Sequence, residues 1–290
     1  EVRLSDQILK QLTDAYRRLR NTARFLLGNL YDFDPGRDYV PPPERLELDR
    51  VALSWLASLI ARVRTAYERF EFHTVYHSLH QFCAVELSSL YLDVLKDRLY
   101  VCRAESPERR SAQSTLYDLL LSLVKMMAPI LSFTAEEIWG YLTKPGEPES
   151  VLLAAFPEPL PGFPDTALLA KWEVLLQVRS AVNQALEQAR RDKLIGNSLE
   201  ADVVLGAGDA LYEQLQAHQA ELLTLTMVSQ LAVEPEPVAG LASEEVPGLT
   251  VAVRRAQGDK CQRCWFRLPS VGQDPKHPEL CERCRGILAG

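Results

Sequence analysis

Apolar side chains recur every three or four positions along the first hundred residues, the spacing that places them on one face of a helix. The pattern predicts a first helix capped by Ser5, a second that begins near Leu48, and a third from about His73 to Asp97. Short links between these helices indicate a bundle. The predicted inward positions are Leu9, Leu12, Tyr16, Leu19, Ala23, Leu26 and Leu30, then Leu48, Ala52, Trp55, Leu59, Val63, Ala66 and Phe70, then Val75, Leu79, Phe82, Leu90 and Val94.

Two further helix starts follow from local signals. Ser106 before Pro107 predicts a fourth helix, because serine caps helices and proline suits the first helical position. Thr134 with Glu137 has the spacing of a capping box and predicts a short fifth helix that carries Ile138 and Trp139.

The pattern then changes. Residues 143–165 hold six prolines and predict a linker that lies on the bundle. After it come a helix over about 166–192, an alternating stretch over 199–205, a helix from Asp209, and strand-like runs near 227–233 and 249–255, with 234–248 as a mobile loop. We predict a mainly α protein with a helical domain (1–143), a linker (144–165), a small α/β connecting module (166–256) and a zinc-binding module (257–290).

Four cysteines near the end of the chain form two C-x-x-C pairs, Cys261 with Cys264 and Cys281 with Cys284. Sixteen residues separate the pairs, which fits the spacing of a four-thiolate zinc site. Such a closed site is structural, because catalytic zinc keeps a position for water or substrate. Two disulfides or a redox pair are the alternatives in an oxidising compartment. Nearby Lys and Arg favour the thiolate form, whereas Cys83 and Cys102 stand alone in helical patterns and read as ordinary thiols.

Charge sharpens the picture. The net charge is −7, but residues 1–30 carry six basic against three acidic side chains and residues 254–290 carry eight against four. Two basic ends on an acidic body favour a localised polyanion contact. The absence of a long apolar run or a secretory leader favours a cytoplasmic protein without a membrane span, although a chain that starts without Met does not exclude a lost leader.

Two motifs are weak leads. The run VVLGAGDALYEQL places Gly206 and Gly208 between a strand and a helix, but Leu211 stands where a dinucleotide site needs a third glycine, and Asp209 reads as an N-cap. His73, His77 and His80 share a helical face without a matching acidic or cysteine ligand at i+4 spacing, so a solvated face is the better interpretation. The residues suggest no catalytic constellation, and we expect none in this chain.

The first helix carries the clearest candidate interface. Arg17, Arg20, Asn21 and Arg24 lie at i, i+3, i+4 and i+7. They are beside the row of predicted inward positions of this helix, which we call its apolar seam. They predict phosphate contacts along a folded RNA, with internal ion pairs as the alternative. In the zinc module Arg263, Trp265 and Arg267 are further candidates for RNA contact. Trp265 either stacks on an unpaired base or covers the metal site.

Several stretches closely resemble the C-terminal third of bacterial isoleucyl-tRNA synthetases. The resemblance covers nearly the whole chain in order. It rests on SDQILKQLTDAYRRLRNTARFLLGNLYDFDP, ELDRVALSWL, YLDVLKDRLY, MAPILSFTAEEIWGYL, RRDKLIGNSLEADVVL and the terminal C-x-x-C-W.

The resemblance implies a class I ligase whose full-length form activates isoleucine with ATP, charges isoleucine tRNA and hydrolyses mischarged valine. The HIGH and KMSKS motifs that bind ATP in that family do not occur here. The residues would then form the anticodon-binding part of a monomeric enzyme, with one structural zinc ion, isoleucine tRNA as partner and the N-terminal catalytic and editing domains elsewhere in the polypeptide.

Two other classes remain open at this point. A zinc finger of this type also occurs in DNA glycosylases of the formamidopyrimidine kind, which would make the chain a DNA-repair protein. The third class is a zinc-stapled interaction scaffold.

Overall fold

The computed structural model describes residues 5–142 and 145–289. The chain divides into two compact units, Glu1–Leu169 and Ala170–Gly290. The predicted boundary between residues 143 and 144 lies outside the described residues, as do Glu1 and Arg3 of the basic N-terminal segment. The four-part domain division therefore stays a prediction.

The first unit is a helical bundle, as the apolar pattern predicts. Two short 3₁₀ turns, Pro42–Glu44 and Val151–Leu153, lie in its connections. Its helices are α1 (Asp6–Gly28), α2 (Glu47–Glu68), α3 (Phe72–Gln81), a π-helical segment (Phe82–Tyr91), α4 (Leu92–Val94), α5 (Lys96–Val101), α6 (Pro107–Met127) and α7 (Ser132–Tyr141).

Two of the three helix caps predicted in the bundle are confirmed. The side chains of Ser5 and Ser106 accept hydrogen bonds from the backbone N–H groups of Ile8 and Arg109. The capping box at Thr134 is wrong, because α7 already begins at Ser132 and has no side-chain cap. The Thr134 hydroxyl instead lies 3.1 Å from the hydroxyl of Tyr16 and links α7 to α1.

The apolar seam of α1 is buried only in its second half. Leu19, Ala23 and Leu26 are at most 4% exposed, whereas Leu9 is 46% and Leu12 is 53% exposed. The prediction is wrong for the first turns because none of the described residues covers them. Phe70, predicted to face inward from α2, follows the end of that helix and is 77% exposed.

The third predicted helix contains the π-helical segment, which shifts the register of its buried face. Val75, Leu79, Phe82 and Val94 are buried as predicted, but Leu90 is only half-buried. Each turn with i→i+5 bonding takes up an extra residue, so the face toward the core shifts along the sequence. Leu87 and Tyr91 are therefore fully buried in this segment.

Buried ion pairs join α2, α5 and α6. The Asp49 carboxylate is fully buried and accepts two hydrogen bonds from Arg98, at 2.9 and 2.6 Å, and others from Tyr91 and Ser111. Arg45, just before α2, forms another ion pair, with Asp118 of α6 at 2.7 Å. Such pairs fix geometry more than they stabilise it, and losing one partner leaves a buried charge unpaired.

The proline-rich segment lies on the bundle, as predicted. The indole N–H of Trp139 donates to the carbonyl of Pro148 at 3.0 Å. Arg64 donates to the carbonyl of Pro157 at 2.8 Å, and Val151 is buried.

The second unit has a small α/β core. After α8 (Thr166–Arg191) come β1 (Ala201–Gly206), α9 (Asp209–Ala217), α10 (Gln219–Thr226), β2 (Gln230–Glu234), β3 (Leu241–Ala242) and β4 (Thr250–Arg255). Their sheet has the order β2-β1-β4-β3, with β1 parallel to β2 and antiparallel to β4. The predicted loop over 234–248 contains β3, which pairs with β4.

The chain ends in a metal-finger motif, in which β5 (Asp259–Lys260) and β6 (Arg267–Leu268) form a hairpin before α11 (Glu282–Ala289). Within the described residues no helix is sufficiently long and apolar to cross a bilayer.

Candidate metal centre and nucleic-acid interface

The four clustered cysteines meet at one point. The Sγ atoms of Cys261, Cys264, Cys281 and Cys284 all lie within 4.8 Å of one another, and the four residues are buried. All six cysteines of the chain are free thiols. The structure therefore brings together the four ligands that the spacing predicts, without a disulfide between them.

Local structure explains how the first pair of sulfurs converges. The N–H of Trp265 donates to the carbonyl of Cys261, and the N–H of Cys261 donates to the carbonyl of Phe266, so the backbone closes a tight turn around this pair. Gly258 precedes the hairpin with φ +87°, and a Cβ there would lie 2.3 Å from the backbone carbon of Leu268. Only glycine fits this close approach.

Backbone N–H groups favour the thiolate form of Cys261. Burial raises the pKa of Cys261, but hydrogen bonds from the backbone N–H groups of Cys264, Cys281 and Arg263 outweigh it and lower that pKa to about 6. The pKa of Cys264 is raised, first by burial, to about 11. We predicted that nearby basic side chains would favour the thiolate, but backbone N–H donors supply the lowering at Cys261.

The arrangement of the sulfurs fits zinc. The Sγ atoms of Cys264 and Cys281 are 3.7 Å apart. A tetrahedron with Zn–S bonds of about 2.3 Å has sulfur–sulfur edges of about 3.8 Å. A four-sulfur donor set leaves no position for a substrate, so the chain holds one structural zinc site.

Other candidate metal ligands do not gather. Among residues 5–142 and 145–289 the four-cysteine group is the single cluster suited to a metal ion. The imidazole of His77 lies against Tyr76, 4.9 Å between ring centres, and His80 stacks near the same ring. Cys83 is buried, and burial raises the pKa of its thiol to about 12, so it is an inert core residue.

The G-x-G motif has a packing explanation. A Cβ at Gly206 would lie 2.5 Å from the backbone nitrogen of Val238, so the segment that crosses β1 requires glycine there. Asp209 is not the N-cap that we predicted: Gly208 holds that position, and Asp209 has a left-handed φ of 51°.

The zinc module has its own candidate interface. Trp265 is 58% exposed, with the Lys260 ammonium 5.0 Å from the centre of its ring. The guanidinium of Arg267 lies 3.8 Å from Glu200, while its backbone N–H donates to Ser229 at 2.7 Å and ties the module to the α/β core. Arg263 is half-buried beside Cys264.

The four candidate residues of α1 are all exposed. Arg17 lies 3.5 Å from Asp14 and Arg20 lies 3.9 Å from Glu137, with all four side chains about half exposed or more. Exposed pairs at these distances contribute little stability. Arg24 forms no salt bridge with the described residues. The arginine stripe, as we call Arg17, Arg20, Asn21 and Arg24, therefore stays available to a ligand.

A groove beside this stripe was not predicted. It has a volume of 350 Å³ between α1 and the segment from Ala84 to Lys96, and its wall includes Arg18, Asn21 and Phe25. Arg18 was not predicted because it lies outside the i, i+3, i+4, i+7 spacing of the stripe. The sequence feature that could have indicated Arg18 is the stretch from Tyr16 to Tyr31, which contains no acidic residue.

Comparison with known proteins identifies the class. Residues 49–205 match the family model described as the anticodon-binding domain of tRNA ligase. Residues 258–285 match a zinc finger found in FPG and IleRS. Because the first match covers more than half of the chain, the chain belongs to the anticodon-binding domain family of tRNA ligases.

Similar proteins include isoleucine–tRNA ligases from several bacteria. Those of Moorella thermoacetica and Syntrophotalea carbinolica are both 50% identical over 99% of this chain, and the match covers 32% and 31% of their lengths. That of Geobacter sulfurreducens is 49% identical over 99% of this chain and 31% of its own length. The chain thus spans about a third of the curated relatives it matches.

Proposed function

We propose that this chain is the tRNA-recognition part, from the C-terminal third, of an isoleucine–tRNA ligase. In this proposal the full-length enzyme activates isoleucine with ATP, charges isoleucine tRNA and removes mischarged valine. Catalysis belongs to N-terminal domains of the same polypeptide, and the enzyme acts as a cytoplasmic monomer. The observation that carries the proposal is the occurrence, in one chain, of an anticodon-binding bundle and an IleRS-type zinc finger.

The proposed binding residues are Arg17, Arg20, Asn21 and Arg24 on α1 with Arg263, Trp265 and Arg267 in the zinc module. Exposed arginines on a helix stretch that carries no acidic residue from Tyr16 to Tyr31 suit the phosphates of a folded RNA, since phosphate contacts depend on local positive charge. Binding energy gained at these residues, far from the reacting ester, would hold the tRNA in place for the catalytic domains.

The zinc ion has a structural part in this proposal. Cys261, Cys264, Cys281 and Cys284 are the proposed ligands, and the ion supplies the folding energy that the short module lacks. The module's own residues do the recognition: the β5–β6 hairpin displays Trp265, and Arg267 stands beside it on β6.

The DNA-repair alternative has less support. The matched type of zinc finger is found in FPG as well as in IleRS, but residues 49–205 match a tRNA-ligase domain. A preference for lesion-containing duplex DNA over tRNA would favour that alternative.

The salt dependence of binding tests the proposal. We expect Arg17→Ala/Arg20→Ala/Arg24→Ala to reduce the slope of log affinity for isoleucine tRNA against log salt by up to about 0.7–0.9 for each phosphate that the variant no longer neutralises. The control Arg62→Ala/Arg69→Ala removes two exposed arginines of the same bundle and should leave the slope unchanged. An unchanged slope in the triple variant would assign the stripe to the ion pairs with Asp14 and Glu137.

A further inference from the structure

A single aromatic side chain stands at the end of the arginine stripe. Tyr31 lies in the turn after α1 and is 80% exposed. Hydrogen bonds from Leu30 to Leu27 and from Phe33 to Leu30 continue the helical sense of the chain past Gly28. Tyr31 follows Arg24 by seven residues, four of them in α1 and three in the turn after it, so it lies just beyond the C-terminal end of the arginine stripe.

The backbone around Tyr31 is anchored on both sides. The Asn29 carbonyl accepts a hydrogen bond from Gln113 at 2.9 Å. The Asp32 carboxylate accepts two hydrogen bonds from Arg109, at 2.6 and 2.9 Å. Phe33 is buried, 5.7 Å between ring centres from Tyr117. The ring of Tyr31 is thus presented from a fixed backbone although it packs little itself.

A cation is held beside the ring. The guanidinium carbon of Arg109 lies 5.9 Å from the centre of the Tyr31 ring. The N–H groups of Arg109 bond Asp32 and the carbonyls of Leu99 and Ala104, which fixes the guanidinium in place. The exposed fraction of Tyr31 shows that most of its ring surface remains open to a ligand.

We propose that Tyr31 is a stacking platform for one unpaired base of the RNA whose phosphates the α1 arginines contact. The inference rests on the proposed function. An aromatic face accepts any base, and a side chain on an anchored backbone has less to order on binding than one on a mobile loop. Arginines lead up to Tyr31 along α1. Phe133, which is 95% exposed, instead adjoins Thr134, whose hydroxyl lies 3.1 Å from that of Tyr16, in the half of α1 where Leu9 and Leu12 are exposed. An exposed apolar surface of this kind is more typical of protein contact.

The test compares Tyr31→Ala with a matched control. Tyr141→Ala removes a tyrosine that is 74% exposed on α7, and Tyr31→Phe keeps the ring. The probes are unmodified isoleucine tRNA and a set with 2-aminopurine placed singly at each unpaired position of the anticodon loop. Affinity, 2-aminopurine fluorescence and thermal unfolding are measured for the whole chain.

We expect the unchanged chain to quench 2-aminopurine at one position. Tyr31→Ala should abolish that quenching and weaken binding about tenfold, within the range measured for one base–aromatic stack. Tyr31→Phe and Tyr141→Ala should behave as the unchanged chain, and all variants should unfold at the same temperature because both tyrosines are exposed.

Three results would overturn the inference. They are unchanged affinity and quenching in Tyr31→Ala, an equal loss in Tyr141→Ala, or reduced affinity without a quenching change at any loop position. If the unchanged chain binds no isoleucine tRNA at low salt, the proposed function fails first, and the inference fails with it. A surface used by a protein partner would give unchanged RNA binding in Tyr31→Ala.

Discussion

The helical bundle and the terminal zinc module reach a fixed shape by different means. The bundle buries long apolar helix faces and pairs its buried carboxylates with arginines, for example Asp49 with Arg98. The zinc module has two-residue strands and one short helix, and its buried centre is four sulfurs. Where a segment is too short to bury enough apolar surface, a metal replaces the core. Metal removal and loss of a buried ion pair should therefore each affect one region and leave the other unchanged.

Metal removal should produce the largest difference in stability between the two regions. Chelation, or Cys261→Ser, should unfold residues 257–289, because binding free energies of structural zinc are of order 10–16 kcal/mol and a module this small has no other core. Hydrogen exchange should show reduced protection in that segment, while the helical circular dichroism of the bundle persists. Simultaneous loss of both signals would contradict the separation.

Breaking a buried ion pair should affect only the bundle. Asp49→Ala leaves the Arg98 guanidinium buried without its carboxylate, so denaturant unfolding should show a loss of about 3–5 kcal/mol. The control Asp93→Ala removes the partner of Lys96 in a half-exposed pair and should cost less than about 1 kcal/mol. Zinc content should stay the same in both variants, and zinc loss in Asp49→Ala would mean that the regions are coupled.

The smallest expected effect concerns two aromatic residues with left-handed backbone. Phe70 has φ 58° and Trp265 has φ 68°, and both are exposed. Because glycine adopts this conformation without steric cost, Phe70→Gly should stabilise the bundle by about 1 kcal/mol. Thermal unfolding would measure it, and destabilisation would show that the contact with Phe72 outweighs the strain.

Trp265→Gly extends this comparison to the zinc module. The same relief of strain should leave zinc affinity equal or higher. If Trp265 covers the metal site instead of stacking on RNA, its removal should weaken zinc binding and leave tRNA affinity unchanged.

How far the sequence predicts the structure depends on how local the cause is. The cysteine spacing predicts the sulfur cluster because each pair is brought together locally, by a tight turn at Cys261–Cys264 and by the start of α11 at Cys281–Cys284. The caps at Ser5 and Ser106 are equally local. The π-helical register change and the exposure of Leu9 and Leu12 were not predictable, because they depend on which helices lie alongside. The polar residues buried on α6 were also missed, since their partners Asp32 and Asp49 are more than sixty positions away in the sequence.

Footprinting of isoleucine tRNA by the zinc-loaded chain, with other tRNAs as competitors, tests the central claim most directly. The claim is that the arginine stripe of α1 and the zinc module recognise the anticodon end of one tRNA. We predict protection of the anticodon stem and loop that other tRNAs displace only in excess. No protection in dilute buffer, or protection that any tRNA removes equally well, would contradict the account.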